Sequence, residues 1–251
     1  MKLSVIITIK NEEKNMGRLL GSLLDQEGPF EIVVIDSAST DGTVEIVREF
    51  CENYDSVKFY EHEGSRGESR NFGCQRAVGD AFAFIDGDCV ADKMWMKELR
   101  ESLGEYDIVA GKTIYEGKIP YGSRMSLLLY GVDVSFPSCN LAYKKEIFPS
   151  FDPRFKTAED IDLNIRAVKG GASFAYNEHA VVYHSVREDL VKFAKQAFWY
   201  GFGRGQLFIK HRVLGSSSFV SEDLNFWNTF KRVFGAFGFV VAIITGGETR
   251  L

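Results

Sequence analysis

Two carboxylates one residue apart, Asp86 and Asp88, close an apolar run from Ala81 to Ile85. The run reads as a fully buried strand. Side chains alternate along a strand, so the two carboxylates share a face if the strand continues. Gly87 lets the chain turn between them at little steric cost. Hard oxygen ligands at the carboxyl end of a strand suit Mg²⁺ or Mn²⁺, and a metal there can bridge a diphosphate. Asp-Gly is also a common surface turn, so the pair takes its meaning from its neighbours. Asp36 follows a second strand, Glu31 to Ile35. Arg70 sits in a helical stretch reaching from Gly67 to Val78. Glu159, Asp160 and Asp162 open another helix, where one carboxylate could serve as a general base and the others could simply complement the helix dipole. His184 closes a short strand and is a structural residue or a ligand.

These groups need a frame that gathers them. Leu3 to Ile9 is a β-branched strand. Asn11 stands where an N-cap would, with Glu12 and Glu13 in the first turn of a helix whose apolar stripe is Leu19, Leu20, Leu23 and Leu24. Gly28-Pro29 breaks it. After strand 2 come a helix from Thr43 to Phe50, a third strand from Val57 to Tyr60, the Arg70 helix and the Asp-Gly-Asp strand. Strand and helix alternating at this spacing predict a mostly parallel sheet with helices on both faces. Right-handed crossovers place the strand ends along one rim, so Asp36, Arg70, Asp86 and Asp88 can reach one crevice. A helix from Asp92 to Leu103, a strand Ile108 to Ala110, a short buried helix at Leu127 to Tyr130 and a strand Ser138 to Tyr143 follow. A turn of helix from Lys144 to Phe148 comes next. The Asp160 helix ends at Gly170-Gly171, before short strands Phe174 to Tyr176 and Ala180 to Tyr183.

The 251 residues suffice for one large domain or a domain with an appendage. Hydrophobic residues at 45% and charged residues at 26% mark a globular chain. A formal charge of −5 gives no support to a nucleic-acid partner. Cys51, Cys74, Cys89 and Cys139 lie outside metal-ligand spacing and form no disulfide pattern. Met1-Lys2 runs straight into a strand without a signal peptide, so a cytoplasmic enzyme is expected. Neither Gly-x-Gly-x-x-Gly after strand 1 nor a P-loop is found, which disfavours a dehydrogenase or a P-loop NTPase. From Asp189 the chain becomes amphipathic and aromatic, and Val233 to Gly247 is uncharged. That stretch is shorter than a typical membrane span. It fits an interfacial helix or a helix packed on protein.

In combination these motifs resemble family-2 glycosyltransferases of the GT-A fold. The likeness runs from about Lys2 to His184. Val5-Ile6-Ile7-Thr8-Ile9-Lys10-Asn11-Glu12-Glu13 is similar to the family's opening strand and Asn-Glu turn. Thr8 and Lys10 stand where many members carry Pro and Tyr. Val34 to Thr43 is similar to the second motif, which implies that Asp36 holds the nucleotide base with Thr8, Glu12 and Ser39 nearby. Arg70-Asn71-Phe72-Gly73 resembles the helix that contacts the nucleotide or its diphosphate. The resemblance further implies that Asp86 and Asp88 form the Asp-x-Asp metal motif for Mg²⁺ or Mn²⁺. It casts Asp160 of the Glu159-Asp160 pair as the base and His184 as a further metal ligand. The processive signature Gln-x-x-Arg-Trp is matched only by Gln196-Ala197-Phe198-Trp199, without the Arg.

The expected architecture is an α/β GT-A catalytic domain over 1–186 with a helical C-terminal extension over 187–251. Residues 1–110 would form the nucleotide-sugar half and 111–186 the acceptor half. The expected activity is a single inverting transfer from a UDP- or GDP-sugar to an acceptor hydroxyl or lipid phosphate, in glycan, glycolipid or surface-polysaccharide assembly. Peripheral membrane attachment through 189–247 and oligomerisation are compatible with it. The alternatives are a sugar-nucleotide pyrophosphorylase and a non-catalytic nucleotide-sugar sensor.

Overall fold

The computed structural model describes residues 1–117, 126–185, 190–213 and 226–248. The 186/187 boundary and parts of the segments 112–136 and 187–251 lie outside the described residues.

The first half alternates as its sequence pattern requires. It comprises β1 (Leu3–Ile9), α1 (Glu13–Leu24), β2 (Phe30–Asp36), α2 (Thr43–Asn53), β3 (Val57–Glu61), α3 (Arg66–Arg76) and β4 (Ala81–Ile85). Then follow β5 (Cys89–Ala91), α4 (Trp95–Glu105), β6 (Ile108–Glu116), β7 (Leu128–Leu129), β8 (Val132–Asp133) and β9 (Asn140–Lys144). The chain closes with α5 (Glu159–Lys169), β10 (Phe174–Ser185), α6 (Leu190–His211) and α7 (Phe226–Ile244). Eight strands form one sheet in the order β3-β2-β1-β4-β9-β6-β10-β5. The β1, β2, β3 and β4 neighbours are parallel, as are β6 and β10. β9 runs antiparallel between β4 and β6, and β5 antiparallel at the edge against β10.

Both faces of the sheet are covered. One core joins Val5, Ile7, Ile32 and Val34 to α1, α2 and α4 through Leu19, Leu23, Val47 and Leu99. The other joins Ile6, Val33, Ile35 and Phe84 to α3 and α5 through Cys74, Leu163 and Val168. A strand buried on both faces reads as near-continuous apolar sequence; β4 is wholly apolar, and in β1 and β2 the buried Ser4 and Glu31 satisfy each other by a 2.6 Å hydrogen bond.

The short buried helix expected at Leu127 to Tyr130 is a β7–β8 hairpin. Tyr130 (φ 51°) and Gly131 (φ 82°) both take left-handed backbone, as a two-residue hairpin loop demands, and Tyr130 is exposed. The two strands expected near Phe174 and Ala180 are one strand, β10, interrupted by a register shift between Asn177 and Val181. β6 runs on to Glu116, further than its buried Ile108 to Ala110 start suggested, because the same bulged strand pairs with its far half.

Candidate active site

The C-terminal ends of β1, β2 and β4 and the N-terminal ends of α3 and α5 meet at one rim. Three non-glycine residues there take left-handed backbone: Asn11, Ala38 and Ala158. Such residues are uncommon, and each costs on the order of 1–3 kcal/mol. They direct the loops after β1 and β2 and the entry to α5.

Arg70 is the hinge of the arrangement. Its guanidinium donates to Asp86 Oδ1 at 2.9 Å and to Glu159 Oε1 at 2.8 Å. The Arg70 and Glu159 side chains are only 3% and 4% exposed, so Arg70 is no solvated surface charge. It bridges the end of β4 to the first residue of α5, two acidic motifs more than 70 residues apart. α3 presents it in its second turn. A capping box starts that helix: Ser65 Oγ accepts from Glu68 N, and Glu68 returns to Ser65 N. Arg70 also lies over the Phe151 ring, 5.4 Å from its centroid.

The residues expected on the nucleotide side, Thr8, Glu12, Asp36 and Ser39, lie together at the ends of β1 and β2 and on the loops that follow. Asp36 is buried and accepts from Ser39 N at 2.9 Å and Ser39 Oγ at 2.5 Å. Asn11 N donates to Ser39 Oγ, and Thr40 N to Asn11 Oδ1. Asn11 therefore stitches the loop after β1 to the loop after β2. It does not cap α1, whose N-cap is Glu12. Glu12 N donates to Thr43 Oγ1 at 2.8 Å. Thr8, half-buried, is paired in register with Ile35, one step before the Ile9–Asp36 pair.

Asp86 and Asp88 do not continue the strand: β4 ends at Ile85 and the pair flanks a turn. Gly87 is needed for space rather than for turning, since its φ is not positive. A Cβ there would come within 3.0 Å of Glu12 Cγ and Ile9 Cγ2. The two carboxylates then take different work. Asp86 belongs to Arg70, which with Arg66 and His184 holds its carboxyl below the usual range against the burial that raises it. Asp88 Oδ1 lies 3.3 Å from His184 Nε2. Among the described residues, Asp88, Cys89 and His184 form the one group whose ligand atoms lie within 4.8 Å of one another. Burial pushes the Cys89 thiol far up, so it stays a neutral neighbour. The Asp88 carboxylate suits Mg²⁺ or Mn²⁺, and an imidazole beside it favours a transition ion such as Mn²⁺ over Mg²⁺. His184 Nδ1 is buried and finds no hydrogen-bond partner, and Tyr115 stands edge-on to the ring at 5.3 Å. The donor set fits a divalent ion.

Asp160 occupies the first turn of α5. Ser138 N donates to its Oδ2 at 3.1 Å and Ile161 N to its Oδ1 at 2.8 Å. Burial and the adjacent Glu159 push its carboxyl up to about 6, although Arg70 and those two amides pull the other way. That is the range for a base working near neutrality. The three carboxylates of α5 thus divide. Glu159 holds Arg70, Asp160 keeps a raised affinity for protons, and Asp162 is structural. Asp162 is fully buried and meets Arg166 at 2.8 Å, Lys210 at 2.6 Å and His211 at 2.7 Å, which fastens the end of α6 to α5.

The sequence profile of the family described as "Glycosyl transferase family 2" matches residues 4–167. The chain belongs to that family. Within the family, a dolichyl N-acetyl-α-D-glucosaminyl phosphate 3-β-D-2,3-diacetamido-2,3-dideoxy-β-D-glucuronosyltransferase of Methanococcus voltae is 26% identical over 239 residues, 83% of this chain and 74% of that protein. Glycosyltransferase AglE of Haloferax volcanii is 35% identical over 99 residues, 38% of this chain but only 33% of AglE. Among solved structures, a Pyrobaculum calidifontis mannosyltransferase in complex with GDP-Man and Mn²⁺ superposes with a TM-score of 0.69 at 18% identity, covering 97% of this chain and 75% of that one. Residues 1–349 of TarS from S. aureus in complex with UDP-GlcNAc give 0.67 at 21% identity, covering 98% and 73%. At these identities the structural likeness speaks for the fold.

This family-2 glycosyltransferase also uses residues that its sequence motifs do not single out. Glu159 as the second anchor of Arg70, Tyr115 against His184, and the Lys210–His211 clamp on Asp162 all depend on long-range packing. The Ser65-x-x-Glu68 capping box, which sequence reasoning missed, is a signal that could have placed the start of α3 and the turn carrying Arg70.

Proposed function

We propose that this chain transfers one sugar from a nucleoside-diphosphate sugar to an acceptor hydroxyl, with inversion at the anomeric carbon. The observation that carries this reading is the double contact of Arg70 with Asp86 and Glu159, which brings the Asp-Gly-Asp turn and the Asp160 helix to one rim. Asp36, with Thr8, Glu12 and Ser39, receives the nucleotide. Arg70 stays fixed beside the diphosphate site and orients Asp86. Asp88 and His184 would hold Mg²⁺ or Mn²⁺. Such an ion, when bound, stabilises negative charge on the leaving diphosphate as a Lewis acid. Asp160 takes the acceptor's proton as its oxygen bonds to the anomeric carbon, and the bond from that carbon to the phosphate oxygen breaks. A single displacement from the opposite face inverts the centre. For a lipid phosphate acceptor, already ionised, Asp160 orients rather than deprotonates.

The acceptor in this proposal is a glycan or a lipid-linked molecule, and the enzyme works in the cytoplasm, at the membrane's inner face. Among the described residues no helix is long and apolar enough to cross a membrane, which agrees with a peripheral placement. The family match leaves the pyrophosphorylase reading without support. Asp160→Asn tests the role of the base. It should bind donor as tightly as the parent and lose transfer to hydroxyl acceptors, measured as nucleoside-diphosphate release. Retained turnover would remove Asp160 from the mechanism.

A further inference from the structure

Arg70 stands at the centre of the rim, yet it has little left to offer a ligand. One guanidinium nitrogen is committed to Glu159 at 2.8 Å and another to Asp86 at 2.9 Å. The side chain is 3% exposed and lies over the Phe151 ring. A cation held this way organises the rim from inside.

One turn earlier, α3 carries a second guanidinium. Arg66 opens the helix four residues before Arg70, and so shares its face. Its side chain is 58% exposed. Among the described residues its one ion pair is with Glu159 Oε1 at 3.9 Å, too long for a hydrogen bond. That oxygen already accepts from Arg70.

The backbone beneath Arg66 is fixed. The Ser65–Glu68 capping box sets the first turn of α3. Asn71 brackets Phe151, donating to its carbonyl and accepting from its N–H, both at 2.8 Å. Gly67 permits the close approach: a Cβ there would stand 3.2 Å from Phe151 Cβ and 4.0 Å from Glu159 Cγ. α3 is thereby pressed onto the segment that leads into α5, while the tip of Arg66 faces solvent at the rim. The rim is rich in carboxylates, with Asp36, Asp86, Asp88, Glu159 and Asp160. A diphosphate entering there needs positive charge to meet it, and Arg66 is an exposed cation beside Glu159.

We propose that Arg66 is a phosphate-binding residue of this site, and that its guanidinium turns from Glu159 to the diphosphate of the incoming nucleotide sugar. The planar fork of a guanidinium matches two phosphate oxygens at once. Arg70 keeps Glu159 compensated throughout, so Arg66 moves without uncovering a buried carboxylate. The inference deepens the glycosyl-transfer reading and rests on it. It divides the work of α3: Arg70 binds protein and Arg66 binds substrate.

Calorimetric titration tests it, with UDP and GDP as diphosphates and uridine and guanosine as the matching nucleosides, each with Mn²⁺ and again in chelator. Arg66→Gln should weaken diphosphate binding about 10- to 100-fold, the range for a hydrogen bond to a charged group, and leave nucleoside binding unchanged. The same relative loss should appear in chelator, because the contact does not pass through the metal. Arg66→Lys, a point charge without the fork, should fall between parent and Arg66→Gln. The midpoint of thermal unfolding should stay within about 2 °C of the parent, since a contact this long and this exposed contributes little. Equal diphosphate affinity in parent and Arg66→Gln overturns the proposal and leaves Arg66 a solvated charge. An equal loss for diphosphate and nucleoside overturns it too, since the effect then lies in the nucleoside pocket. So does a fall in midpoint as large as that of an opened buried pair, which makes Arg66 a structural tie to Glu159. A parent that binds neither UDP nor GDP strikes the glycosyl-transfer reading itself, and this inference with it.

Discussion

Replacing Arg70 by Met removes the cation that the buried Glu159 and the partly buried Asp86 share. In the native chain the guanidinium lies under 3 Å from both Asp86 and Glu159, and the Arg70 and Glu159 side chains are almost wholly excluded from water. Breaking a buried pair from one side costs roughly 3–5 kcal/mol, because the abandoned charge keeps its desolvation cost. For a chain of this size that is a fall of roughly 6–20 °C in midpoint, at about 2–4 °C per kcal/mol. The sign with pH is fixed. In the parent, the lowered Asp86 pKa contributes stability above the unfolded carboxylate value, lost as pH falls through that range. In the variant, Asp86 and Glu159 repel, one carboxyl titrates upward, and protonation on moving from pH 7.5 to pH 5 restores part of the loss. Thermal unfolding followed by circular dichroism at the two pH values measures both effects. Arg70→Met/Glu159→Gln should be more stable than Arg70→Met alone at pH 7.5. A midpoint within about 2 °C of the parent, or a deficit equal at both pH values, would refute the view that Arg70 joins the two motifs by charge.

Four further outcomes follow from the same geometry. Transfer to a hydroxyl acceptor should rise about tenfold per pH unit up to about 6 and level above it, because Asp160 must be ionised to accept a proton; the contribution of Asp160 to stability runs the opposite way, increasing as pH falls from about 6 to the ordinary carboxylate range. A pH–rate profile of nucleoside-diphosphate release checks this, and a flat profile from pH 5 to 8 would contradict it. Gly201→Ala should cost about 1–3 kcal/mol by forcing α6 from α7, read as earlier unfolding in urea with donor binding retained in native buffer. Asp162→Asn should lower stability by about 3–5 kcal/mol, since it leaves Arg166, Lys210 and His211 facing a neutral amide; an unchanged urea midpoint would deny the clamp. His184→Ala should weaken Mn²⁺ binding, titrated by electron paramagnetic resonance, while leaving the fold intact by circular dichroism.

The sequence disclosed the frame because burial on two faces leaves an unmistakable mark. β1, β2 and β4 are dominated by apolar residues, and the polar residue at the end of two of them, Asp36 or Asp86, stands where the loops of the rim begin. It disclosed less where meaning depends on contacts far along the chain. Gly87 suggests a turn, yet its role is to admit Glu12 and Ile9 from β1 and its following loop. Three carboxylates at the start of α5 look interchangeable by spacing alone. Arg70, Ser138 and Lys210 tell them apart, and those partners lie 89, 22 and 48 positions from theirs. Leu127 to Tyr130 reads as a buried helix from its apolar content, but Tyr130-Gly131 accepts left-handed backbone and the segment folds into a hairpin.

Calorimetric titration of UDP- and GDP-sugars into the protein with Mn²⁺, set beside Asp88→Ala, probes the core of the proposal most directly. A nucleotide sugar should bind the parent with Mn²⁺, weaken on chelation, and lose its metal dependence in Asp88→Ala. Binding that is equally tight in chelator and in Asp88→Ala, or no binding of any nucleotide sugar, would contradict it.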